Sequence, residues 1–107
     1  MTVPFVASLR ARPGTIRIGS ADSKALMIRV EVPEVWDVVR IETSPNESVR
    51  AVKNAALQEL LPRADQREYV MKLRGYEVLE ESGSLEDVGA VDGSIFLLTS
   101  RRRRPVR

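Results

Sequence analysis

Five carboxylates crowd one stretch of this 107-residue chain: Glu77, Glu80, Glu81, Glu86 and Asp87. Carboxylates in pairs can exchange a proton with a substrate or hold a hard cation through oxygen. Here no partner base completes such a site, because the chain has no histidine and no cysteine. That absence also removes disulfides, thiolate nucleophiles, iron–sulfur clusters, zinc sites built on His or Cys, and any Ser–His–Asp relay. Catalysis would need a constellation of Ser, Lys, Tyr or carboxylates, and the sequence shows none. The acidic stretch reads as a solvated loop. No catalytic residue, metal or cofactor is expected, and the chain is read as non-enzymatic.

The second chemically distinctive stretch is basic. Arg101, Arg102, Arg103 and Arg104 stand in a row before Pro105, Val106 and Arg107. Such a run can bind phosphates, and its affinity for duplex DNA would fall with salt at a slope of about −0.9 per phosphate neutralised. At an anionic membrane each arginine contributes about 1 kcal/mol. Either gain is opposed by the rest of the chain. The net charge is +2, but 1–24 carries +3, 101–107 carries +5, and 25–100 carries −6. The run has no aromatic residue to stack bases and no neighbouring cysteine to lipidate. It reads as a solvated tail or a weak contact to an acidic protein, nucleic acid or membrane.

These groups must be positioned by one small domain, since the length suffices for a single core. No apolar stretch approaches the roughly 18 residues of a membrane span. "MTVPFVASLRARPG" lacks the continuous apolar region of about 7 to 15 residues that a signal peptide needs. A cytoplasmic location is expected. "ALMIRVEV" (25–32) alternates, with Leu26, Ile28, Val30 and Val32 on one side, so it predicts a half-buried strand that Pro33 stops. "VVRIET" (38–43) predicts a second strand with Val39, Ile41 and Thr43 facing in, which makes a hairpin. The period then changes. Ser48 is suited to cap a helix whose apolar stripe is Val49, Val52, Ala56 and Leu60, widened by Ala55, Leu57 and Leu61, and which ends at Pro62. Arg50, Lys53, Asn54 and Glu59 are placed on the polar side. "REYVMKLRG" (67–75) predicts a third strand in which Tyr69, Met71 and Leu73 alternate with Val70, Lys72 and Arg74, then a turn at Gly75 and a short strand near 77–79. A capped turn is expected at Ser84, a tight turn at Asp92-Gly93, and a closing strand in "SIFLLTS".

This order resembles the ubiquitin-like β-grasp fold over roughly 26–100. "SPNESVRAVKNAA" is similar to the ubiquitin pattern of a proline three residues before a Ser/Thr cap, an aliphatic after the cap, and a Val-Lys pair. The matching residues are Pro45, Ser48, Val49, Val52 and Lys53. The second half matches through Gly75 at the turn, Leu79 as a core plug, and Leu85 and Val91 over the open end. "SLEDVGAVDGSIFLL" resembles the ubiquitin-like proteins and domains of bacterial type VII secretion systems, through Leu85, Asp87, Gly89, Asp92, Gly93 and Ser94. The resemblance implies an α+β fold, with one helix packed across a mixed four- to five-stranded sheet. It divides the chain into a flexible or loosely packed extension (1–25), the β-grasp domain (26–100) and a basic tail (101–107). Met27 opens the first strand, so the extension could equally be a misassigned start.

Ubiquitin and sulfur carriers end in Gly-Gly, whose carboxylate is activated. The last glycine here is Gly93, so conjugation is not expected and noncovalent protein binding is. By the resemblance, the open sheet face carries Val70, Lys72, Phe96 and Leu98, with Arg40 and Glu42 nearby. Lys72 stands where ubiquitin has a central aliphatic. Trp36 borders this face at the hairpin loop, where it either anchors a partner or folds over the core edge. The open strip is either an interface or a surface covered by 1–24 through "TIRIG" or "VPFVASL". The expected function is a non-enzymatic interaction module, a cytosolic component of a type VII-like secretion system. The alternatives are a binder of anionic polymers or membrane surfaces acting through Arg101–Arg104, or a ubiquitin-like modifier or carrier.

Overall fold

In a computed structural model, residues 15–19 and 25–101 are described. The strands are β1 (Thr15–Arg17), β2 (Leu26–Val32), β3 (Asp37–Thr43), β4 (Tyr69–Leu73), β5 (Tyr76–Glu77) and β6 (Ile95–Ser100), and the helix is α1 (Val49–Leu60). They form one mixed sheet in the order β1-β3-β2-β6-β4-β5. β2 and β3 are an antiparallel hairpin, and β2 runs parallel to β6 at the centre. β4 is antiparallel to both β6 and β5.

The alternation in β2 and β3 sets the inner face. Ile28, Val30, Val32, Val39 and Ile41 are buried there, and they meet Val49, Val52, Ala56 and Leu57 from α1. Each such aliphatic contributes on the order of 1.5–3 kcal/mol of transfer free energy before entropy is counted. The helix starts where expected: the Ser48 hydroxyl accepts the Ala51 N–H at 3.1 Å, satisfying a donor of the first turn. Gly75 also takes its turn. Arg74 (φ 55°) and Gly75 (φ 86°) are the two left-handed residues of a two-residue hairpin loop joining β4 and β5.

The sheet has one strand more than the expected four or five. "TIRIG" does not lie over the open face; its first three residues are β1, paired parallel with β3. Ile16 stands opposite Ile41, and Ile16 and Ile18 pack on the core. Within the expected extension, 1–14 and 20–24 lie outside the described residues, as do 102–107.

Three expectations shift. Leu79 is 85% exposed, and Val78 is the core residue, held in phase by its N–H bond to the Met71 carbonyl at 2.8 Å. Val91 is exposed, and Ala90 is buried in its place beside Leu85. Lys53 is 1% exposed rather than on the polar side. Its Nζ lies 2.7 Å from Glu81 Oε1 and donates to the Tyr69 carbonyl at 3.0 Å. Lys53 follows Val49 by four residues, so helical spacing puts both on the buried stripe.

Candidate functional site

The turn between β2 and β3 is one 3₁₀ turn, Pro33–Val35, closed by the Trp36 N–H bond to the Pro33 carbonyl at 3.0 Å. Closure requires Trp36 to adopt φ 54°, ψ 43°. This left-handed conformation is costly for a bulky side chain. The indole does not fold over the core edge: Trp36 is 92% exposed. It borders an open cleft of about 360 Å³ with Glu31, Val32, Pro33, Asp37 and Val38. The turn is tied to the sheet from the other side. The Tyr69 hydroxyl, at the start of β4, donates to Glu34 Oε1 at 2.7 Å. Burial first, and then the bond to Glu34 and its charge, push the Tyr69 hydroxyl up to about 12.

Two rows of the outer face run across the centre of the strands. One row reads Val38, Glu31, Leu97, Lys72, Glu77, from β3 to β5. It begins two residues from Trp36. The other row reads Thr15, Arg40, Arg29, Ile95, from β1 to β6. Val38 (40%) and Ile95 (43%) are exposed apolar members.

The structure therefore corrects two expected face residues. Phe96 and Leu98 are fully buried on the inner face. Phe96 stands opposite Val30 and Leu73, and Leu98 opposite Met71, all core residues. Side chains alternate along a strand, so this one-residue shift in phase exchanges the two faces and puts Ile95, Leu97 and Thr99 outside. Val70 and Lys72 are on the outer face as expected. Val70 is nonetheless buried there, opposite Thr99, and Lys72 is half-buried between Leu97 and Glu77. The site thus brings together Trp36, Val38, Leu97 and Lys72, with Ile95, Arg29 and Arg40 beside them. Leu97 and Ile95 were missed because "IFLL" is a continuous apolar run. The usable signal lay in β4, whose Met71 and Leu73 already pointed inward.

Of the arginine run, Arg101 is described, and its groups are engaged. Its N–H donates to the Glu68 carbonyl at 2.6 Å, its Nε donates to the Arg67 carbonyl at 3.2 Å, and Nη1 lies 3.7 Å from Glu77 Oε2. Arg102, Arg103 and Arg104 lie outside the described residues. In the acidic stretch, Glu81 is paired with Lys53, while Asp87 and Ser84 cap one turn reciprocally through N–H bonds of 3.0 and 3.4 Å. Among the described residues, no three carboxylates are grouped so as to hold a metal ion. Nor is any helix among them long and apolar enough to cross a membrane.

No family model and no curated protein matches the chain. Solved structures do. The ubiquitin-like domain of an Arabidopsis thaliana protein superposes with a TM-score of 0.65 at 14% identity, over 82% of this chain and 89% of that one. The ubiquitin of Caldiarchaeum subterraneum gives 0.63 at 20% identity, over 76% and 99%. A protein designed on ubiquitin gives 0.63 at 16%, over 80% and 100%. Together with the single helix laid on a mixed sheet, these matches establish that the chain has the ubiquitin-like β-grasp fold.

Proposed function

We propose that this chain is a non-enzymatic ubiquitin-like interaction module that binds a protein partner noncovalently across the outer face of its sheet. The observation that carries the reading is Trp36. A large apolar side chain is held out of the core by a strained turn, next to a row containing exposed Val38 and, further along, Leu97. Trp is among the residue types that dominate interface energetics, and backbone strain of this kind collects at binding sites. Val70 and Lys72 complete the far side of the same surface.

The test is capture of partners by the tagged full chain, compared with Trp36→Ala and Leu97→Asp. Trp36 is exposed and Leu97 is half-buried on the outer face, and circular dichroism checks that both variants keep the fold. Partner recovery is expected to fall at least tenfold in each. Full recovery by both folded variants would sink the reading.

The pattern from Leu85 to Ser94 supports a place for the module in a type VII-like secretion system, acting in the bacterial cytoplasm. Secretion ATPase genes are expected beside its gene. Activating-enzyme genes in that position would favour a modifier or carrier instead.

A further inference from the structure

Arg29 and Arg40 stand directly opposite each other on β2 and β3. Their Cβ atoms are therefore roughly 4.5–5.5 Å apart, where like charges repel. Both side chains are exposed, and among the described residues neither has an ion-pair partner. The nearest candidate on the Arg40 side, Glu42, is taken by Arg17 of β1 at 3.2 Å. Glu31 shares the face of Arg29 but makes no ion pair with it. We propose that Arg29 and Arg40 are a seat for carboxylates of an acidic peptide segment of a protein partner. This rests on reading the outer face as an interface and specifies the chemistry of what lies there.

Residues 1–14 hold no acidic residue and two arginines, 20–24 hold Asp22 against Lys24, and 102–107 hold no acidic residue. None of these segments brings surplus negative charge to the pair. Apolar groups flank the seat: Ile95 extends the arginine row, and the next row brings Val38 and Leu97 on either side of Glu31, with Lys72 beyond. Two residues along a strand span about 6.8 Å. A short segment interleaving acidic and aliphatic side chains matches this spacing. A long polyanion or an anionic bilayer would also meet the −6 charge of 25–100.

The experiment is a nuclear magnetic resonance titration of the labelled full chain with two ten-residue peptides sharing the same leucines. One peptide carries four glutamates and the other four glutamines. The glutamate peptide is expected to shift the amides of Arg29, Arg40, Ile95 and Leu97, and to bind at least tenfold more tightly. Arg29→Gln and Arg40→Gln should each weaken it at least fivefold, leave the glutamine peptide unaffected, and melt no lower than the unaltered chain. No shift at millimolar glutamate peptide, equal binding of the two peptides, or shifts confined to other strands would overturn the seat. So would binding of phosphatidylserine vesicles or a short DNA duplex in place of the peptide. Self-association that the arginine variants abolish would also overturn it, by putting a second copy there. Leu97→Asp separates this proposal from the interface itself. If it abolishes partner capture while both arginine variants retain it, the interface stands and the acidic seat falls. If none of the three matters, the interface is what fails.

Discussion

Trp36 combines two properties that rarely coincide, near-complete exposure and a left-handed backbone. A non-glycine residue there costs roughly 1–2 kcal/mol, and an exposed indole recovers almost none of it by packing. Trp36→Gly is therefore expected to raise unfolding stability by about 0.5–1 kcal/mol in a urea titration, once the extra freedom of glycine in the unfolded chain is deducted. The same variant should lose partner binding. A destabilised Trp36→Gly would mean that the indole has a structural role. Lys53 shows the opposite economy. Its ammonium is buried with Glu81 as its counter-charge, and breaking such a pair from one side costs about 3–5 kcal/mol. Lys53→Met should show a loss of that size by thermal melting, and adding Glu81→Leu should restore most of it.

At the scale of elements, the Glu34–Tyr69 bond joins the Trp36 turn to the first residue of β4. The Tyr69 hydroxyl holds its proton to about pH 12 in the fold, against about 10 in an unfolded chain. Its contribution is thus fully present below pH 10 and is lost as pH rises from 10 through 12. Over that window the loss is at most about 1.4 kcal/mol per pH unit. Alkaline unfolding followed by circular dichroism should be less steep in Tyr69→Phe. β2, β3 and α1 were legible in the sequence because polar residues interrupt the apolar ones at periods of two or near four. Where that interruption fails, so does the reading. β6 begins with four apolar residues, so its face was decided by pairing with β2 and β4. In the loop after β5, Val78 and Leu79 are equally apolar, and one backbone bond to Met71 selects between them. Lys53 was missed for a different reason: a charged residue on the buried stripe is legible only when its partner, 28 positions later at Glu81, is known.

For the whole molecule, the fold followed from the order of its elements, whereas the candidate site depended on which side of the sheet each residue takes. The outer face is therefore less like the expected one than the core is. It has Leu97 and Ile95 in place of Phe96 and Leu98, and an opposed pair of arginines that the sequence alone does not juxtapose. The extra strand contributes to this surface, since β1 supplies the Arg17 that occupies Glu42. It also moves β3 from the rim of the sheet to its interior.

β1 has a consequence for how this domain can be attached to anything else. β2 and β6 are parallel, so a domain beginning at β2 would have its two ends at opposite poles. Because β1 runs parallel to β3, with Thr15 beside Arg40 and Arg17 beside Glu42, the chain enters the sheet from the pole where β3 begins. β6 finishes at that pole too, with Ser100 opposite Tyr69. Entry, exit and the Trp36 turn therefore share one end of the molecule. A fusion partner joined directly before Thr15 or after Arg101 would stand at the pole that carries the indole. The Asp92-Gly93 turn lies at the far pole and is bonded to Met27 by the Asp92 carboxylate (2.8 Å) and the Gly93 N–H (2.7 Å), so a label that leaves the indole end open belongs on the exposed side chain at Val91 beside it, not in an inserted segment.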